Sequence, residues 1–107
     1  MEFSELQKGV TDTMFSYGKQ FNIDIDKYYV LTKLLEEVGE LAQAVLIHQK
    51  KCRPEKVVAE ECSKRNVAKE LADVVGMAIV AARVMDINLE EAMVKKWIDL
   101  EWVKKRS

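Results

Sequence analysis

Between Val74 and Ala82 the chain reads Val-Val-Gly-Met-Ala-Ile-Val-Ala-Ala, with Arg83 as the next charge. A periodic pattern enters this run from about Asn66 and continues to about Met85, which predicts a helix. A helix apolar on every side is buried on every side. The run is also too short to span a bilayer. Two acids stand at its head: Glu70 and Asp73 project on the side continued by Met77, Val80 and Val84. Acids leading into a buried stripe are costly unless a proton, a basic partner or a metal neutralises them.

The other periodic segments predict three more helices. Ser4 with Gln7 forms a capping-box start for the first, with Phe3, Leu6, Val10, Met14 and Tyr17 as its stripe and Gly18 as its stop. The second is expected from about Asp26 to Gln49, burying Leu31, Leu34, Leu35, Val38, Leu41, Ala42 and Val45. Lys50 to Arg65 is charged and irregular, and Pro54 suits the first turn of a short helix. Asn88 followed by Glu91 opens the last helix, expected to turn Leu89, Ala92, Met93, Trp97, Leu100 and Val103 inward. No strand-like alternation of useful length appears. The expected fold is all-α, four main helices in a bundle, as a single domain over residues 1–107.

The second helix carries Glu36-Glu37-Val38-Gly39-Glu40 and the third Glu70-Leu71-Ala72-Asp73. Three-residue spacing sets Glu37 beside Glu40, and Glu70 beside Asp73, roughly 60° apart around the axis and about 4.5 Å along it. Two such helices side by side bring four carboxylates to one spot, where they repel unless a cation sits between them. Oxygen-only ligands suit Mg²⁺ or Mn²⁺. Ala44 and Ile47 continue the Glu40 side, so this helix is expected to pack on two sides. That implies a second copy: a homodimer or a multiple of dimers such as a homotetramer. Lys33, one turn before Glu37, reads as a surface residue, with a role at the acidic pocket, as carboxylate partner or phosphate ligand, as its alternative. Lys96 falls in the apolar stripe of the last helix, where it either snorkels to water or turns its ammonium into the acidic pocket.

Composition excludes other classes. A formal net charge of −1 gives no global attraction to nucleic acid. The basic tail Lys104-Lys105-Arg106 complements the negative end of the last helix. Cys52, Cys62 and the single His48 lack zinc-ligand spacing, and no Glu-x-x-His pair supports a di-iron bundle. With no signal-peptide pattern and no membrane span, a reduced cytoplasmic protein is the expectation. The remaining alternative to an enzyme is a non-catalytic helical interaction module whose acids are structural.

The two acidic motifs together resemble those of the MazG-like, all-alpha nucleoside triphosphate pyrophosphohydrolases, which carry Glu-Glu-x-x-Glu on one helix and Glu-x-x-Asp on the next. Lys33-Leu34-Leu35, Leu41-Ala42 and Asn88-Leu89-Glu90-Glu91-Ala92 agree as flanking text. The resemblance covers roughly Leu6 to Lys105. It implies Mg²⁺-dependent hydrolysis of nucleoside triphosphates to a monophosphate and pyrophosphate. It further implies Glu37, Glu40, Glu70 and Asp73 as metal ligands. Glu36 would be an extra carboxylate that binds a further metal or orients water, and Lys96 a phosphate contact. Many relatives have Asn one turn beyond that lysine, where this chain has Leu100. Phosphoribosyl-ATP pyrophosphohydrolases and dUTP-hydrolysing relatives share the metal motifs, so nucleotide preference stays open at this point.

Overall fold

The computed structural model describes residues 1–104, with side chains through residue 102. Every element among them is helical: α1 (Phe3–Phe21), α2 (Lys27–His48), a 3-10 turn at Pro54–Lys56, α3 (Glu60–Val84), α4 (Leu89–Met93), a π-turn at Val94–Ile98 and α5 (Glu101–Lys104). Counting the α4–π–α5 stretch as one interrupted helix, the four-helix, all-α expectation holds.

Three helix ends share one device. Asn22, Lys50 and Asp86 adopt φ of 54°, 60° and 55°. The next N–H along the chain reaches back to close the helix: Ile23 to the Gly18 carbonyl at 2.7 Å, Lys51 to Leu46 at 2.9 Å, Ile87 to Ala82 at 2.7 Å. This left-handed cap satisfies carbonyls that the helix leaves without partners.

Two boundaries differ from expectation. α1 starts earlier, where the Glu2 N–H donates to Glu5 Oε1 at 3.2 Å. It also runs through Gly18 to Phe21 rather than stopping there. Gly18 is buried, and a Cβ on it would lie 2.6 Å from Ile25 Cγ1 and 2.8 Å from the Ile23 carbonyl oxygen. Its role is close approach by the returning chain. α3 begins at Glu60, six residues before the periodic pattern becomes readable, while the 3-10 turn at Pro54 agrees with the sequence.

The chain divides into two compact units. One comprises residues 1–27 with residues from Ile79 onward, and buries Thr11, Gly18, Ile25, Ile79, Val80 and Ala82. Its last helical stretch corrects an expectation: Met93, Trp97 and Leu100 are exposed, not inward, while Val103 lies outside the described side chains. At the π-turn the Asp99 N–H bonds the Val94 carbonyl at 2.9 Å, one residue further back than in an α-helix. The widened turn shifts Trp97 and Leu100 out of the expected stripe, whereas Met93 precedes it and is exposed on α4 itself.

The other unit, Tyr28–Ala78, holds most of α2 and the first three-quarters of α3. The helices run antiparallel. His48 Nδ1 lies 2.8 Å from Ser63 Oγ, Glu40 neighbours Glu70, and Glu37 neighbours Asp73. Steps back along α2 are therefore matched by nearly equal steps forward along α3. The buried line of α2 is Val30, Glu37 and Ala44, one residue in seven. Leu31, Leu35, Val38 and Ala42, expected in the core, are exposed. The inward side is the side that bears the acids, not the most apolar one.

Candidate metal centre

One carboxylate oxygen from each of Glu37, Glu70 and Asp73 lies within 4.8 Å of the others. Glu37 is buried on α2, Glu70 is half-buried on α3, and Asp73 reaches the surface one turn further on. Glu40 sits on the exposed edge of α2, its carboxyl in hydrogen-bonding range of both Glu37 and Glu70. The three-residue spacing within each motif and the antiparallel pairing of the helices bring Glu37, Glu70 and Asp73 together, with Glu40 beside Glu37 and Glu70 but outside that group of three.

The electrostatics record what this costs. Burial pushes the Glu37 carboxyl above its ordinary value; repulsion and hydrogen bonding from Glu40 and repulsion from Asp73 push it further, with Lys33 opposing. Burial also raises Glu70, with Glu40 and Asp73 adding to it and Lys69 opposing. Two oxygens, Glu37 Oε2 and Glu70 Oε2, are buried without a hydrogen-bond partner. Buried polar atoms are rarely left so, because each forfeits its hydration.

A divalent cation fits these residues. All donors are oxygens, as a hard cation prefers. Carboxylate oxygens that share one Mg²⁺ at about 2.1 Å stand roughly 3–4.2 Å apart, and the three oxygens here, all within 4.8 Å of one another, lie near that range before an ion draws them together. The buried, partnerless oxygens of Glu37 and Glu70 distinguish this cluster from a solvated acidic face.

The other predicted residues are placed differently. Glu36 is exposed, and its Oε1 accepts from Lys33 Nζ at 2.7 Å. Lys33 Nζ also lies 3.8 Å from Glu37 Oε1. Its pKa is raised chiefly by the hydrogen bond to Glu36, against the opposing effect of burial. Lys33 is thus part of the cluster's surroundings rather than a plain surface residue; its position four before Glu37, a turn away on the same face, is the sequence signal that places it there. Lys96 is half-buried in the π-turn, its Nζ 6.0 Å from the Trp97 ring centroid.

A family model described as Phosphoribosyl-ATP pyrophosphohydrolase matches residues 5–95. The chain belongs to this family. It is therefore an enzyme, a pyrophosphohydrolase, and the non-catalytic module is set aside. The phosphoribosyl-ATP pyrophosphohydrolase family is part of the MazG-like all-alpha superfamily that the acidic motifs resemble. Comparison with curated proteins and with solved structures gave no match. The matched span includes both carboxylate pairs, Lys33 and the α4 N-cap, where Asn88 Oδ1 accepts from the Glu91 N–H at 3.1 Å. No described helix is long and apolar enough to cross a membrane.

Proposed function

We propose that this chain hydrolyses the linkage between the α and β phosphates of a nucleoside triphosphate group, releasing pyrophosphate. Phosphoribosyl-ATP, which supplies the family's name, is the first substrate to test, ahead of ordinary NTPs and dNTPs. The observation that carries the reading is the meeting of Glu37, Glu70 and Asp73, with Glu40 alongside, where two buried oxygens have no partner.

Glu37, Glu40, Glu70 and Asp73 would hold Mg²⁺, with Mn²⁺ as a substitute. Bound there, the metal would offset triphosphate charge and lower the pKa of a water. The remaining work falls to the protein. A polyphosphate cannot approach this many acids unaided, so the cluster itself selects substrates that arrive with a cation. Glu36, next to Glu37 and open to solvent, is suited to orient the attacking water. Lys96 is one cation proposed to contact phosphate, as the resemblance implies. The helical frame holds the carboxylates fixed, so little rearrangement accompanies the charge that develops in the transition state.

Assembly as a homodimer, or as a tetramer of two dimers, belongs to the same proposal. Leu31 and Leu35 on α2 are 57% and 67% exposed, and Leu71 and Val75 on α3 are 48% and 52% exposed. Two adjoining helices of one unit thus leave large apolar side chains uncovered, which is the surface a second copy would bury. A cytoplasmic location is proposed with it.

The test is pyrophosphate release with Mg²⁺ from phosphoribosyl-ATP, ATP and a set of dNTPs, by the wild type and by a Glu40→Gln, Asp73→Asn double variant. Turnover lost in the variant is expected. Equal rates in both proteins, or none with any nucleotide, would remove the metal-centre mechanism. Faster turnover of an ordinary NTP than of phosphoribosyl-ATP would change the substrate and leave the mechanism standing.

A further inference from the structure

Lys33 is one turn before Glu37 on the same face of α2. Its Nζ lies 2.7 Å from Glu36 Oε1 and 3.8 Å from Glu37 Oε1, and its side chain is 30% exposed. It thus joins two carboxylates of unlike surroundings. Glu36 is at the surface, with its side chain 52% exposed; Glu37 is buried, and its other oxygen, Oε2, has no partner. Among the described residues, Lys33 on the Glu37 side and Lys69 on the Glu70 side are cations that face the acidic cluster.

We propose, building on the metal-centre reading, that Lys33 is the built-in counter-ion of the cluster. In the metal-free protein its ammonium supplies positive charge beside Glu37. When a divalent cation arrives with its nucleotide, the ammonium transfers to a phosphate oxygen of the substrate.

Charge and reach both favour this transfer. A cation held by Glu37 and a lysine 3.8 Å from the same carboxylate are two like charges a few ångströms apart, and each weakens the other's hold. The lysine is the mobile partner. Its four-carbon stem is flexible, and a half-exposed Glu36 retains it only weakly. The strongest negative charge brought to that spot with the metal is the polyphosphate. The same ammonium that opposes metal binding alone therefore favours binding of metal and nucleotide together. This makes Lys33 a selector for the complex over the bare ion.

Lys33→Met keeps the length of the chain and its helix propensity and removes the charge. Two measurements then move in opposite directions. Calorimetric titration with Mn²⁺ and no nucleotide should show tighter binding in the variant, by about tenfold for a single and a double charge roughly 6 Å apart in water-like surroundings. The KM for the best nucleotide should rise by about tenfold, the loss expected for one charged phosphate contact. Lys33→Arg should return both values toward wild type. Equal or weaker Mn²⁺ binding in Lys33→Met would overturn the counter-ion role, and an unchanged KM would overturn the phosphate contact. A wild type that binds no Mn²⁺ would overturn the metal-centre reading and this proposal together; a wild type that binds while Lys33→Met binds equally overturns the Lys33 role alone. Circular dichroism melts check folding, and Lys33→Gln, a second neutral variant, replaces Lys33→Met if that protein does not fold.

Discussion

Replacing Glu37 with Gln should stabilise the metal-free protein while removing its activity. The substitution keeps the shape of a buried side chain and deletes its charge. Within 4.8 Å of that charge lie carboxylate oxygens of Glu70 and Asp73, and Glu40 is also in contact. At an effective dielectric of 20, one such repulsion amounts to about 3 kcal/mol. Asp73 opens to water and Glu40 is exposed, so screening reduces the relief at Glu37 to roughly 2 kcal/mol. Loss of the 3.8 Å pairing with Lys33 offsets less than about 1 kcal/mol of that. A net gain of about 1–2 kcal/mol at pH 8 corresponds to roughly 4–8 °C in Tm for a chain of this size. Thermal melts in EDTA at fixed protein concentration, at pH 8 and near pH 4, provide the assay. The sign with pH is determined: Glu37 and Glu70 are both held above their ordinary values, so the folded state binds more protons than the unfolded chain. Wild-type stability from these groups is present at low pH and lost as pH rises through the raised values. The advantage of Glu37→Gln should therefore vanish near pH 4. A variant no more stable than wild type at pH 8, or one equally favoured at both pH values, would refute the account of the cluster.

Three further outcomes test the frame. Gly18→Ala should gain about 1 kcal/mol of helix propensity but lose more, because the new Cβ would sit 2.8 Å from the Ile23 carbonyl oxygen, an overpacking cost of about 1–3 kcal/mol; urea denaturation should show net destabilisation. Ser63→Ala removes a hydroxyl that donates to the Glu60 carbonyl at 2.9 Å and accepts from His48 at 2.8 Å, a loss of about 1–3 kcal/mol; because the single hydroxyl proton goes to Glu60, nitrogen NMR of the wild type should find the proton of His48 on Nδ1. Leu35→Glu should give monomers in sedimentation velocity where wild type gives dimers, and a monomeric wild type would end the assembly proposal.

Much of the site is legible in the residues. The three-residue spacing of Glu37 with Glu40 and of Glu70 with Asp73 predicts the convergence, since helical geometry leaves such pairs little choice. Met77 and Val80, on the expected inner side of α3, are buried. The features that local pattern does not reveal share a physical cause. Reading apolar as inward puts Leu31, Leu35 and Val38 in the core of α2, but the inward line runs through Glu37, because the acids gather there. Gly18 reads as a stop because its use depends on Ile23 and Ile25 folding back against it, a contact that no local pattern encodes. The first turns of α3 carry Glu60, Glu61, Lys64 and Arg65 outward, leaving too few apolar residues to show a period. The π-turn shifts register through a backbone bond, and neither Lys95 nor Trp97 announces it.

The matched stepping of α2 against α3 also determines where the chain tolerates changes in length. Residues 49–59 join the two helices at the end marked by His48 and Ser63. Added residues there leave Glu40 opposite Glu70, and doubling such a loop costs only about 0.6 kcal/mol in closure entropy. A single residue inserted between Glu40 and His48, or between Ser63 and Glu70, would swing one carboxylate pair about 100° away from the other. Insertions and deletions among homologues should therefore accumulate in the connector and spare both helical arms, so that substrate preference can diverge around a cation nest of fixed geometry.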